Sequence, residues 1–268
     1  MSMRLGKVNV AYIHFSLERP TPITTWSGIY LYKQVLRVLE LNGITVPHDK
    51  PKYFTLSPIY RVSGNSPQIV FSGFLNSEEL YAFRFSTYDD RIFRVVIESL
   101  LHSVIEGLKV VRIEQAEHNI PALDTGKCFE DSLERLLLEI EVRYNPTIFR
   151  FYGYDVLYPS PLRFLHSTLR QYYIVTGINA VQCFKNSAFT MELLQSVVKV
   201  SQLSIGRGRR GNERYVKAFH GYAKYLATLR PSISEFFVDG LLRLAQIMGV
   251  GKNKSLGFGD IAKIAIVS

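Results

Sequence analysis

Residues 7–17 read KVNVAYIHFSL, a run rich in β-branched and aromatic side chains that has the character of a strand. The chain after it decides the fold. Pro20 and Pro22 interrupt residues 19–24, and Thr25 is placed to cap a helix. That helix runs from Trp26 to about Leu41, with Ile29, Tyr32, Lys33, Leu36 and Leu39 near one face, and stops at Asn42-Gly43. Residues 53–62 and 69–86 read as two strands around Ser63-Gly64-Asn65-Ser66-Pro67. Asp89-Asp90 then opens a second helix with Ile92, Val95, Val96, Leu100, Leu101 and Ile105 at apolar positions. Gly107 ends it, and residues 108–113 form a further strand. The order is βαββαβ, the ferredoxin-like split βαβ.

The same order recurs downstream. Residues 136–144 read as a strand and 161–175 as a helix. Residues 196–205 and 215–229 read as strands around a basic, glycine-rich turn. Ser234 caps a predicted helix over 235–248, and 261–267 is the closing strand. The expected fold class is therefore α+β, with two tandem ferredoxin-like (βαββαβ) domains. Residues 1–122 form the first, holding the candidate catalytic residues. Residues 123–268 form the second, with a basic hairpin and a glycine-rich loop. The linker is expected near 119–127 (NIPALDTGK), and a single α+β domain is the competing architecture.

Composition limits what such a chain can do. Its 268 residues, 47% hydrophobic and 21% charged, suffice for a core without covalent staples. The formal net charge of +9 points to an anionic partner, and it is uneven. Residues 1–125 hold 13 basic and 12 acidic side chains, whereas 126–268 hold 19 and 11. Cys128 and Cys183 make no disulfide framework and lack metal-ligand spacing, which favours a reducing compartment. Residues 1–10 lack an apolar leader segment, and no apolar run approaches the ~20 residues of a membrane helix. The expectation is a cytoplasmic protein without membrane contact.

The segment after Met248 reads Gly249-Val250-Gly251-Lys252-Asn253-Lys254-Ser255-Leu256-Gly257-Phe258-Gly259. Glycines let a ligand approach the backbone, and Lys252 and Lys254 add cations, so the segment could cradle phosphates. A Walker loop needs Gly-Lys followed by Ser or Thr and a helix, and a dinucleotide fingerprint opens a helix. This segment opens a strand, so both fail. A plain glycine-rich turn between helix and strand is the competing reading.

The spacing Gly-x-Gly-x-x-x-x-x-Gly-Phe-Gly, between the last helix and last strand of a ferredoxin-like domain, resembles the glycine-rich loop of the RAMP superfamily of CRISPR-associated proteins. More narrowly, the chain resembles the endoribonuclease that processes precursor CRISPR RNA. Residues 145–150 (NPTIFR), 159–164 (PSPLRF) and 241–246 (LLRLAQ) are similar to that family in the second half. Gly28-Ile29-Tyr30, His48 and residues 52–57 (KYFTLS) are similar to its catalytic region in the first. The resemblance implies a metal-independent endoribonuclease with no cofactor. It would cut CRISPR repeat RNA and leave 2′,3′-cyclic phosphate and 5′-OH ends, with CRISPR effector subunits as further partners.

Cutting RNA without metal requires a base for the 2′-OH, an acid for the 5′-oxygen and positive charge at the phosphate. His48 is the candidate acid–base group, Lys52 the cation and Tyr30 the second proton-transfer or orienting group. Tyr30 and His48 take the base and acid roles in either order. Lys50 competes with Lys52, and an exposed loop histidine beside Pro47 is the bland reading of His48. His14, between Ile13 and Phe15, is its rival. His102, His118, His166 and His220 read as structural or surface residues. No Cys/His pair has ligand spacing, so no metal site is expected.

RNA binding is expected at the hairpin of the second half. Arg207, Arg209, Arg210, Arg214, Lys217, Lys224 and Arg230 face only Glu213 between residues 201 and 230. The glycine-loop positions Gly249, Gly251, Lys252, Lys254, Gly257 and Gly259 would add to it. The alternative function is a non-catalytic RAMP subunit that holds guide RNA. A ferredoxin-like protein that binds a small molecule is a third reading.

Overall fold

The computed structural model describes residues 6–47, 52–63, 67–102, 107–124, 126–129, 133–186, 189–208 and 211–267. In chain order the first half holds β1 (Gly6–Leu17), β2 (Thr21–Ile23), α1 (Ser27–Leu41), β3 (Phe54–Leu56), β4 (Tyr60–Arg61), β5 (Gln68–Ile69), β6 (Gly73–Leu75), β7 (Tyr81–Thr87), α2 (Asp90–Leu101) and β8 (Leu108–Ile120). The second half holds β9 (Leu136–Thr147), β10 (Phe149–Phe151), β11 (Tyr154–Val156), α3 (Pro161–Thr176), α4 (Val181–Asn186), β12 (Thr190–Arg207), β13 (Glu213–Leu229), α5 (Arg243–Met248) and β14 (Ile261–Val267).

Strand order shows the repeat. The first sheet runs β5-β4-β7-β1-β8, with β3 also pairing β7, and the second runs β12-β13-β9-β14. In each, the first major strand lies between the third and fourth, with the second outside the third. Every pairing is antiparallel. That is the βαββαβ sheet twice over, the expected α+β architecture of two tandem ferredoxin-like units.

Apolar patterning accounts for the layers. Leu31, Val35 and Val38 of α1 and Ile92, Val96 and Leu100 of α2 bury against Ile13, Phe15, Phe83 and Phe85 of the first sheet. In the second half, Phe164, Leu169 and Tyr172 of α3 meet Ile140, Val142, Phe219 and Tyr225. This second core also takes in Val8, Val10 and Ile120 from the first sheet. A smaller cluster of Trp26, Ile29, Ile148, Leu203, Ala218 and Phe258 draws on both halves.

Several local expectations need correction. The strand expected over 53–62 breaks into β3 and β4 around Pro58, which has no N–H for a ladder. The strand expected over 69–86 becomes β5, β6 and β7, with a polar turn from Asn76 separating β6, which pairs with β2, from β7. Thr25 does not cap α1; the cap position is Trp26, whose backbone N–H donates to the Ser204 carbonyl at 2.8 Å. Asp89 does cap α2, accepting from the Arg91 and Ile92 N–H groups.

Ser234 caps nothing either; its hydroxyl donates to the Pro231 carbonyl at 2.8 Å. Residues 235–248 are not one regular helix. A π-helical stretch, Phe236–Leu242, precedes α5. Its wider turn accompanies two successive buried phenylalanines, Phe236 against Tyr172 and Phe184, and Phe237 against Phe184 and Phe189. Cys128 and Cys183 are also corrected. They form a disulfide across 55 residues, with Cα atoms 5.0 Å apart, because the turn Gly126–Phe129 lies against α4. The inference of a reducing compartment therefore loses its support from cysteine usage. No helix among the described residues is long and apolar enough to cross a membrane.

Candidate functional site

A cleft of about 930 Å³ opens between β3 of the first half and α3 with the glycine-rich loop of the second. Helix α3 begins at Ser160, whose hydroxyl accepts the Arg163 N–H, with Pro161 at its first position. Arg163, His166, Ser167 and Arg170 then fall at i, i+3, i+4 and i+7, one helix face, and all four line the cleft. With Lys52, Arg150, Lys252 and Lys254, the described residues give the lining six Lys or Arg side chains and no carboxylate. Such a wall attracts a polyanion and focuses its field through a low-dielectric surround.

Two lining groups are electrically unusual. Burial, with Arg170 adjacent, pushes the Lys254 ammonium down to about 8. Burial also lowers the His166 imidazole, helped by the positive charge of Arg163 and Lys185, which favours its neutral form. Among the described residues His166 is the one histidine of the lining, a residue the sequence reads as structural or surface. The i, i+3, i+4, i+7 spacing of Arg163, His166, Ser167 and Arg170 was the available signal.

The glycine loop is partly tied into the protein. Several of its N–H groups are engaged inside the protein: Gly251 with the Ser167 hydroxyl (2.6 Å), Lys252 with the Ile148 carbonyl (2.9 Å) and Gly259 with the Pro146 carbonyl (2.8 Å). A Cβ on Gly259, whose φ is +72°, would lie 1.7 Å from the Val250 carbonyl oxygen. Gly249, Gly257 and Gly259 are buried and stay out of the cleft wall, whereas Gly251 joins it. The loop residues that line the cleft, besides Gly251, are Lys252, Asn253, Lys254 and Ser255. Lys252 is held by Asp155 at 2.5 Å.

Helix α1 buttresses this loop. A Cβ on Gly28 would come within 2.2 Å of the Leu256 carbonyl oxygen, and the Trp26 indole N–H donates to that same carbonyl at 2.9 Å. Through its backbone bond to Ser204, Trp26 also touches the β12–β13 hairpin near its turn.

The residues expected from sequence are only partly gathered here. Lys52 lines the cleft, and its ammonium donates to the Pro47 carbonyl. Tyr30 is not in the lining. It packs on the first core from α1, and burial raises its hydroxyl above the ordinary range, partly offset by Gln34. His48 and Lys50 lie outside the described residues, as do Arg209 and Arg210. Arg207, Arg214 and Lys217 are exposed on the β12–β13 hairpin, outside the cleft lining. His14 faces Glu114 at 3.4 Å, and His220 meets the Ser201 hydroxyl at 2.9 Å. Among the described residues, no group of three His, Cys, Asp or Glu side chains could hold a metal ion.

Residues 143–261 match the family model of the CRISPR-associated endoribonuclease Cas6. Solved structures carry the likeness over both halves. A Cas6 of Thermus thermophilus has a TM-score of 0.59 at 15% identity, over 97% of this chain and 98% of its own. A protein from a Cas6-related gene of Pyrococcus furiosus gives 0.54 at 18%, over 98% and 99%. A RAMP protein described as binding different RNA substrates gives 0.55 at 18%, over 97% and 100%. A comparison with curated proteins finds no match. The resemblance read from the glycine-rich segment is thus met, and the shared fold is the tandem ferredoxin-like one.

Proposed function

We propose that this chain is an endoribonuclease that cuts precursor CRISPR RNA within its repeats, without metal, by attack of a 2′-OH on the adjacent phosphorus. The P–O5′ bond breaks as the new P–O2′ bond forms. A base takes the 2′ proton and an acid protonates O5′, leaving a 2′,3′-cyclic phosphate and a 5′-OH. The observation that carries the reading is the basic cleft at the junction of the two halves, lined by Lys52, Arg150, Arg163, Arg170, Lys252 and Lys254. Phosphate charge that grows in the transition state is stabilised by cations already fixed in place.

In this reading residues 1–122 carry the chemistry and 123–268 hold RNA. His48 and Tyr30 move protons and Lys52 neutralises the phosphorane. Arg207, Arg209, Arg210, Arg214 and Lys217 grip phosphates beyond the cut, with Lys252 and Lys254 in the cleft. The setting is cytoplasmic, where precursor RNA and effector subunits would meet the enzyme.

The test is cleavage of a cognate repeat RNA with EDTA present, followed by end-group analysis. Wild type is expected to cut and His48→Ala to lose at least about 100-fold in rate while still binding. Undiminished cutting by His48→Ala, together with loss in His166→Ala, would move proton transfer to α3. Binding without any cutting by wild type would favour the non-catalytic RAMP subunit.

A further inference from the structure

The β10–β11 hairpin is the strangest surface on the molecule. Its two-residue loop, Tyr152-Gly153, has φ of 44° and 90°, the mirror-image turn that favours Asn-Gly and penalises bulky residues. A tyrosine sits there 86% exposed, so burial does not compensate the backbone strain. Beside it Phe151 is 43% exposed and Tyr154 78% exposed, and these two are direct cross-strand partners. The Phe151 and Tyr152 rings touch, with centroids 4.4 Å apart, and the Arg163 guanidinium lies 3.8 Å over the Phe151 ring.

Position gives these rings a partner. Arg150 and Arg163 belong at once to this hairpin surface and to the basic cleft, and Asp155 of β11 is tied to Lys252 of the glycine loop. Exposed aromatic rings edged by guanidiniums match unpaired nucleobases, which stack on rings while their phosphates meet arginine. A plain apolar contact surface would not need cations at its edge.

We propose that Phe151, Tyr152 and Tyr154 form a stacking platform for the unpaired nucleotides of an RNA strand passing out of the cleft. The platform rests on the RNA-cutting reading and adds what that reading lacks, a site for single-stranded sequence next to the cut. Asp155 and Lys252 hold the hairpin in register with the cleft, and Arg163 joins the two surfaces.

The test uses the full chain and two RNAs with the same stem-loop, one blunt and one carrying a single-stranded extension of about six nucleotides, enough to span several rings. Affinities come from fluorescence anisotropy, and 2-aminopurine in the extension reports stacking by quenching. Wild type is expected to prefer the extended RNA and quench the probe. Tyr152→Ala/Tyr154→Ala should weaken the extended RNA about tenfold or more, leave the blunt RNA unchanged and abolish quenching. Tyr152→Asn, which suits the turn better, should raise the melting temperature while reducing the preference. A variant that keeps both preference and quenching overturns the platform and leaves the cleft intact. So does one that changes sedimentation with the preference unchanged, which would make this a protein contact. Failure of wild type to bind either RNA overturns the RNA reading itself.

Discussion

Lys254 shows how one residue couples stability to binding. Its ammonium stands on the cleft wall, and burial, with Arg170 second, lowers it from 10.5 to about 8. Below about pH 8 the folded protein carries the full cost of a desolvated cation. Between about 8 and 10.5 the unfolded chain holds this proton and the folded one does not, so stability rises with pH across that window. Replacing the group by Lys254→Met should raise the melting temperature at pH 7 and erase the upward slope. RNA affinity should respond in the opposite sense, because a phosphate needs the protonated form. Wild-type affinity should fall above about pH 8, Lys254→Met should be weak throughout, and Lys254→Arg should bind without the decline. Melts and anisotropy titrations across pH 6.5–10 check both halves; a methionine variant no more stable than wild type at pH 7 would sink the idea.

At the scale of elements, the glycine-rich loop is shaped by protein against protein. Gly28 on α1 and Gly257 on the loop meet backbone to backbone, since a Cβ on Gly257 would lie 2.8 Å from the Gly28 Cα. Gly28→Ala must therefore push α1 and the loop apart, at about 1–3 kcal/mol of overpacking. Gly43 makes a useful control. Its φ is +69° with open space around it, so Gly43→Ala costs only backbone strain, about 1 kcal/mol. Single-turnover cleavage at equal folded fraction should fall at least tenfold in Gly28→Ala and stay near wild type in Gly43→Ala, because only the first displaces Lys252 and Lys254. Equal rates would separate the loop from the site. The strand and helix order was legible because each element carries its own period, and the loop because its glycines cluster. The contact between positions 28 and 257 has no local pattern, so the sequence offered the loop as a phosphate cradle without showing that several of its amides are also used internally. Likewise Cys128 and Cys183 show no short-range signature across 55 residues, and the hairpin at 149–156 is too short for a period to register.

For the whole molecule, the question is what makes two ferredoxin-like units one body with a cleft between them. Arg84 of β7 is buried and reaches across to the second half. It donates to the Asp260 carboxylate at 2.5 Å and to the Gln246 carbonyl at 2.5 Å. The other carboxylate oxygen accepts from Asn145 at 2.5 Å and from the Tyr60 hydroxyl. Burial opposes the guanidinium charge, yet Asp260 holds it above the ordinary range; burial and Asp260 together keep the Tyr60 hydroxyl protonated. Each half thus contributes a buried charge whose opposite charge lies on the other half. Arg84→Met strands the carboxylate and Asp260→Asn strands the guanidinium, and each should cost about 3–5 kcal/mol. The double variant removes both charges and should lose less than the two single losses added together, by about 1–3 kcal/mol. Chemical denaturation followed by two probes, Trp26 fluorescence at the joint and far-ultraviolet dichroism of the whole, also reads cooperativity. Wild type should give coincident transitions, and the single variants should lose the fluorescence transition first as the halves part. Additive losses with coincident transitions in every variant would mean that the apolar cluster around Trp26 and Phe258 joins the halves without this ion pair.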